Sequence, residues 1–248
     1  MLEPLAFCYR RAVDAGVIWL NGTKFFPIYG KLWHNAQLRY AADGGTNFVY
    51  DNLKQQNLTV PPDRIVGDMD SIRPELYEAL KASIPIEKIE EQETTDMTKT
   101  FRALIRDAKK NKKPINIVYA LGGLAGRFDH VMAALNTLVT ESTDDVLRCI
   151  IHDTNVVLAL KKGIHDIDLG EKYETYTAGK CGLIPICQEE TIVTSSGFKW
   201  NLVNDVLKFG GMVSTSNEIV ARFLQIETSA PLIFTLELKK EFVENDGD

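Results

Sequence analysis

The chain has 248 residues, 45% of them hydrophobic, enough for a proper core and for either one large domain or two modest ones. A formal net charge of −6 argues against a nucleic-acid partner, which would favour a basic face, and no apolar run reaches membrane-spanning length. The start, Met1-Leu2-Glu3-Pro4, lacks a signal-peptide pattern, and Cys8, Cys149, Cys181 and Cys187 form no CxxC pair, so a cytoplasmic protein with free thiols and no structural zinc is expected.

In chain order, Val17 to Leu20 reads as a first strand ending at the turn Asn21-Gly22. Phe26 to Asn35 is apolar enough for a helix, although its periodicity is poor. Leu38 to Ala42 is a second strand that stops at Asp43-Gly44-Gly45, and a helix follows through Phe48, Val49 and Leu53. Arg64 to Gly67 is a third strand, running straight into Asp68-Met69-Asp70-Ser71. Pro74 suits the first turn of the next helix. Beyond an acidic stretch, Met97, Phe101, Leu104, Ile105 and Ala108 recur at helical spacing, with Thr94 or Thr95 placed to cap. Ile115 to Leu121 is a strand, and Val131, Met132, Leu135, Leu138 and Val139 mark a helix. Between them lies Leu121-Gly122-Gly123-Leu124-Ala125-Gly126-Arg127-Phe128-Asp129-His130, a strand-to-helix turn with three glycines and an arginine. Such a turn suits phosphate, but its spacing fits neither GxxxxGK[ST] nor GxGxxG, and the glycines are equally consistent with a bend alone.

From Leu147 the texture changes to short β-type runs without a convincing helix beyond Gly163, up to an acidic end, Glu244 to Asp248, expected to fray. Alternating strands and helices followed by strands only imply two domains, divided near Lys161 as 1–161 and 162–248.

The polar residues carry the functional signal through their positions. Asn21, Asp43, Asp68 with Asp70, and Gly122 each follow a predicted strand, where open α/β sheets bind ligands. Asp96 and Asp129 stand at predicted helix starts pointing to the same edge. Taken singly, each aspartate is explained as a turn former or a helix-dipole partner, Arg127 as a surface charge and Lys99 as a solvated face. Five carboxylates at one edge would repel one another unless a cation sits among them. With a phosphate-type loop alongside, hard oxygen donors suggest magnesium bound jointly with a nucleotide. In the second region, Trp200 is open to two readings: a core residue of a β-sandwich, or an exposed flat face for a planar or cationic ring.

With these residues in hand, the chain resembles the thiamine pyrophosphokinases, specifically the eukaryotic type. The matching segments are ADGGTN (Ala42 to Asn47), GDMDSI (Gly67 to Ile72), TDMTK (Thr95 to Lys99), LGGLAGRFDH (Leu121 to His130), CGLIPI (Cys181 to Ile186), SSGFKWNL (Ser195 to Leu202) and VSTSNE (Val213 to Glu218). The resemblance implies an α/β Rossmann-like parallel-sheet domain followed by an all-β sandwich domain. It implies a homodimer whose active sites lie between the α/β domain of one subunit and the β domain of the other. The implied reaction moves the diphosphate of ATP to the hydroxyethyl oxygen of thiamine, giving thiamine diphosphate and AMP.

Carried over by motif, Asp68, Asp70, Asp96, Arg127 and Asp129 would be catalytic, with Asp68, Asp70 and Asp96 holding Mg2+. Asp43, Gly44, Gln92, Lys99, Gly122, Gly123 and Arg127 would line the diphosphate and nucleotide, and Trp200, Ser214, Ser216 and Asn217 would meet thiamine. A carboxylate, Asp70 or Asp96, would accept the hydroxyl proton. The chain departs from the family pattern at Phe48, where an arginine is common, at His130, where glutamine is usual, at Met69 and Met97, and at Glu93-Thr94. Three rivals are a diphosphokinase for a pterin-like alcohol, a DxD glycosyltransferase and a non-catalytic thiamine or nucleotide sensor. The first should lack SSGFKWNL, the second has no use for GGLAGRFD, and the intact carboxylates argue against the third.

Overall fold

The computed structural model describes residues 1–9, 14–22, 24–143, 145–188 and 190–245. After a short helix α1 (Ala6–Tyr9), strands and helices alternate: β1 (Ala15–Trp19), α2 (Pro27–Asn35), β2 (Leu38–Ala42), α3 (Gly45–Lys54), β3 (Arg64–Gly67), α4 (Pro74–Leu80), β4 (Ile86–Lys88), α5 (Asp96–Lys110), β5 (Ile117–Leu121), α6 (Phe128–Glu141) and β6 (Leu147–His152). These six strands pair in parallel in the order β4-β3-β2-β1-β5-β6. Every residue of β1 and β5 is buried, as expected of strands covered on both faces. The poorly periodic Phe26–Asn35 segment does form a helix, entered by Pro27, whose missing N–H costs nothing at that position. Thr95 caps α5 by accepting from Thr98 N at 3.2 Å, and α5 buries Met97, Phe101, Leu104 and Ala108 against the sheet.

The chain then turns back at Asp153 (φ +51°), and β7 (Asn155–Leu160) pairs antiparallel with β6. The remaining elements are β8 (Gly163–Asp168), α7 (Tyr173–Tyr176), β9 (Thr177–Pro185), β10 (Thr191–Ser196), β11 (Asp205–Leu207), β12 (Ser214–Glu218), β13 (Phe223–Thr228), β14 (Leu232–Leu238) and α8 (Lys240–Glu244). Strands β8, β13, β10 and β11 form a four-stranded antiparallel sheet. In β10 and β13 burial alternates, so one face packs inward, and Val193, Leu224 and Ile226 join the same core as Leu183, Phe234 and Leu236.

The layer facing that sheet is no separate sheet. Strands β14, β9 and β12 add antiparallel beyond β7, making one ten-stranded sheet in the order β12-β9-β14-β7-β6-β5-β1-β2-β3-β4. The β6–β7 reversal makes this possible, because it offers an antiparallel edge to a late strand. Two short helices, α7 and α8, also stand where only strands were expected; four and five residues are too few to print a periodicity. Of the end expected to fray, Glu244 closes α8 with an ion pair to Lys240 at 3.6 Å, and residues 246–248 lie outside the described residues.

Candidate active site

The strand ends deliver the carboxylates as their spacing suggests. Asp43 follows β2 directly, Asp68 follows β3, and Asp96 opens α5. Oxygens of Asp43, Asp68 and Asp70 lie within 4.8 Å of one another. Gly67 is where Asp43 and Asp96 close in: a Cβ there would stand 2.7 Å from the Asp43 Cβ and 3.2 Å from Asp96 Oδ1. With φ at +155° as well, any side chain at Gly67 would push these two aspartates apart.

Asp43 is 2% exposed and sits at φ +36°, an uncommon conformation that an aspartate tolerates better than most residues. Its two oxygens accept from the backbone N–H groups of Ser71 (3.1 Å) and Ile72 (3.2 Å), so it fixes the turn that carries the DxD pair. Within that turn Met69 has φ +69°, Asp70 N donates to Asp68 Oδ1 at 3.2 Å, and Ser71 Oγ donates to Asp70 Oδ1 at 2.7 Å. The left-handed residue between them lets Asp68 and Asp70 share one side of the turn instead of alternating as in a strand. Gln92 Nε2 approaches Asp68 Oδ2 at 3.4 Å. Lys99, 4% exposed, points its ammonium to Asp96 Oδ1 at 3.5 Å.

The electrostatics differ from one carboxyl to the next. Burial, aided by the charge of Asp96, pushes the Asp43 carboxyl up to about 6 despite its two backbone bonds. Burial and then the Asp68 charge raise Asp96, with Lys99 opposing. Asp70 is lowered, chiefly by the Ser71 hydroxyl. A set of hard oxygen donors, two of them held up by desolvation and mutual repulsion, is a fit for a small divalent cation.

The glycine turn lies between β5 and α6, beside the β1 end, where the strand order reverses and open α/β sheets bind ligands. Gly122 (φ +98°) and Gly123 (φ +87°) take conformations that only glycine adopts cheaply. The Gly122 N–H donates to Ile151 O at 2.9 Å, so that amide is spent on the sheet. Arg127 and Asp129 are both exposed and form a two-bond pair, Nε to Oδ1 at 3.1 Å and Nη2 to Oδ2 at 2.5 Å. The pair raises Arg127 and lowers Asp129. Asp129 thus bonds to its own turn, while Asp43, Asp68, Asp70 and Asp96 form the group. Gly44 precedes α3, and a Cβ there would stand 2.7 Å from Asn21 Nδ2, which brings the β1 end to the same place. Phe48, at the arginine-like position, stacks on Trp19 with centroids 5.4 Å apart, and His130 is exposed on α6.

Trp200 belongs to a segment of the four-stranded sheet. It is 54% exposed, on the loop between β10 and β11, so the core reading fails for its indole. Phe198 fills the core there, edge-on to Phe234 with centroids 6.2 Å apart. Lys199 Nζ stands 4.7 Å from the Trp200 ring centroid and 2.9 Å from Glu218 Oε2. Ser214 and Asn217 belong to β12, whose register shifts between them, with Ser216 at φ +58°. Ser216 borders a shallow cavity of about 270 Å³ with Thr215, Gly182 and Thr235. Asn217 is buried beside the Trp200 backbone. Sequence reasoning missed Lys199 and Glu218; their only signal was that they flank Trp200 and Asn217 in two facing motifs.

Comparison with known proteins shows the family. Residues 29–150 match the model of the thiamin pyrophosphokinase catalytic domain, and residues 165–233 match that of the thiamin pyrophosphokinase vitamin B1 binding domain. Thiamin pyrophosphokinase 1 of Caenorhabditis elegans is 33% identical over 90% of this chain and 88% of its own length. Thiamine pyrophosphokinase 1 of Oryza sativa subsp. japonica is 34% identical over 87% of this chain and 83% of its own. The solved thiamin pyrophosphokinase from Candida albicans superposes with a TM-score of 0.80 at 23% identity, covering 96% of this chain and 92% of that one, which shows a shared fold. By both domain models and these relatives, the chain belongs to the thiamin pyrophosphokinase family.

Proposed function

We propose that the protein is a thiamine diphosphokinase, transferring the diphosphate of ATP to the hydroxyethyl oxygen of thiamine and releasing AMP. The observation that carries this reading is the group of Asp43, Asp68, Asp70 and Asp96 at the strand ends of a chain of this family. In this reading Asp68, Asp70 and Asp96 hold Mg2+, which when bound neutralises charge on the transferring oxygens. Asp43, with both oxygens already on backbone amides, holds the turn in shape. Arg127 and the glycine turn meet the nucleotide phosphates at the start of α6, with Lys99, Gln92 and Gly44 at the margin.

Catalysis is then mainly positioning: the thiamine hydroxyl attacks the β-phosphorus in line, a new O–P bond forms, and the bond to the α-phosphate oxygen breaks. A carboxylate of the group, Asp70 or Asp96, would accept the hydroxyl proton.

Trp200, Ser214 and Ser216 would receive thiamine, and the sheet order supports a second copy in each site. Seven strand intervals separate β12 from β2. At the usual spacing this is roughly 30 Å along the sheet, too far for one thiamine to bridge within a chain. A homodimer that sets Trp200 of one subunit against the carboxylates of the other resolves this. Phe128 and Met132, apolar and exposed on α6, suit such a contact. The nucleotide work would then fall to 1–161, with its Rossmann-like sheet, and vitamin binding to 162–248. A cytoplasmic setting fits the four free cysteines, and no helix among the described residues is long and apolar enough to cross a membrane.

The test is product identity. Purified protein incubated with magnesium-ATP and thiamine should give AMP and thiamine diphosphate in equal amounts. ADP with thiamine monophosphate, or no turnover, would refute the proposal.

A further inference from the structure

Trp200 presents its ring outward from a loop, and an exposed ring on a loop is useful for stacking only if its backbone is held. The hydrogen bonds around it show what holds it. Asn217, 3% exposed on β12, accepts from Trp200 N at 3.2 Å through Oδ1 and donates to Trp200 O at 2.8 Å through Nδ2. Its Oδ1 also accepts from Glu218 N at 2.8 Å. A side-chain amide thus takes the place of a strand neighbour, answering both backbone groups of one residue across the gap between the two sheets. The register shift before Asn217 and the left-handed Ser216 accompany this inward turn.

The bonds on either side complete the anchor. Lys199 N donates to Glu218 O at 2.8 Å, and Phe198 N to Asn201 Oδ1 at 3.0 Å. Ser195 N donates to Leu202 O at 2.9 Å, and Leu202 N to Ser195 Oγ at 3.0 Å. Glu218 then holds the Lys199 ammonium against the indole. Neighbouring residues of β12 therefore act in sequence, Asn217 on the backbone of Trp200 and Glu218, through Lys199, on its ring.

We infer that Asn217 is a positioning residue for Trp200, acting on the vitamin through the indole rather than by touching it. The inference rests on the reading that Trp200 stacks on thiamine. With three of its four hydrogen-bonding positions taken by protein and the residue 3% exposed, the Asn217 amide has little left for a ligand, and its loss would leave the Trp200 N–H and C=O without their partners.

The chain contains three tryptophans, Trp19, Trp33 and Trp200, so 5-fluorotryptophan labelling gives three 19F resonances, with that of Trp200 identified by its loss in Trp200→Phe. In Asn217→Ala the Trp200 resonance should shift or broaden while those of the buried Trp19 and Trp33 stay in place, certifying the fold. The thiamine KM should rise about tenfold, with the effect on KM for thiamine rather than on kcat or KM for ATP. In a Trp200→Ala background, Asn217→Ala should add nothing further. Asn217→Ser, which retains a small polar group, carries the same measurements should the alanine variant fold poorly. An unmoved Trp200 resonance, or a thiamine KM that rises equally in the Trp200→Ala background, would overturn the inference. If instead the resonance moves while Trp200→Ala leaves thiamine KM unchanged, the stacking reading is the part that fails, and the functional role of Asn217 falls with it.

Discussion

The two ends of the ten-stranded sheet hold their functional groups by opposite means. At the β2–β3 end, four carboxyls are crowded, Asp43 and Asp96 partly desolvated, and the backbone is bent to keep them so: Asp43 and Met69 lie at positive φ, and Gly67 leaves no room for a side chain. At the β12 end a single exposed ring is carried by an ordinary loop, clamped by one neutral amide and one ion pair. Like charges need a stiff frame because they push apart, whereas a stacking ring has only to be prevented from wandering. The carboxylate end should therefore be sensitive in its chemistry, and the tryptophan end in its affinity.

The sharpest way to break this contrast is Asp68→Asn. It removes a charge from the group without touching the core, so turnover should fall by about 10³-fold, with the melting temperature changed by only a degree or two, checked by steady-state assay and thermal unfolding. Near-normal turnover would mean that the carboxylates are not the reacting site. At the other end, Trp200→Ala should raise the thiamine KM about tenfold, leaving KM for ATP close to its original value. An equal rise in both would show that the ring supports the whole site.

The smallest effect is one of pH and concerns the strained end alone. The Asp43 carboxyl is raised to about 6 in the folded chain from an ordinary 3.8, so the folded state takes up its proton first as pH falls. This stabilising contribution is fully present below about 3.8 and is lost as pH rises through about 6. The melting temperature of the metal-free wild type, measured against that of Asp43→Asn, should accordingly gain on the variant between pH 7 and pH 4. Magnesium should flatten the trend, because it favours the charged form. A difference independent of pH would show that Asp43 is not desolvated.

Much of the carboxylate end was legible in the sequence. Strands read from apolar runs end where the aspartates begin, and the parallel order makes those ends converge. The role of Asp43 was not legible, since it depends on how the Ser71 and Ile72 amides turn back towards β2. Nor was the pairing of Arg127 with Asp129 in preference to the carboxylate group. At the tryptophan end, composition left Trp200 poised between core and surface. Phe198 won the core position, through a packing choice between two nearby aromatics that periodicity does not encode. The change to short β-type runs from Leu147 was visible, but the continuous sheet was not, because the pairing of β14 with β7 joins segments that no local pattern links.

That continuity has a mechanical consequence. Bending the chain between its carboxylate end and its tryptophan end would mean shearing rungs of the β6–β7 or β7–β14 ladders, in strands whose side chains are almost all buried. The sheet is a beam without a joint. In the proposed dimer, bringing the two substrates together falls to the way the two beams are docked and to the loops at their ends, so the distance between donor and acceptor is set when the subunits assemble.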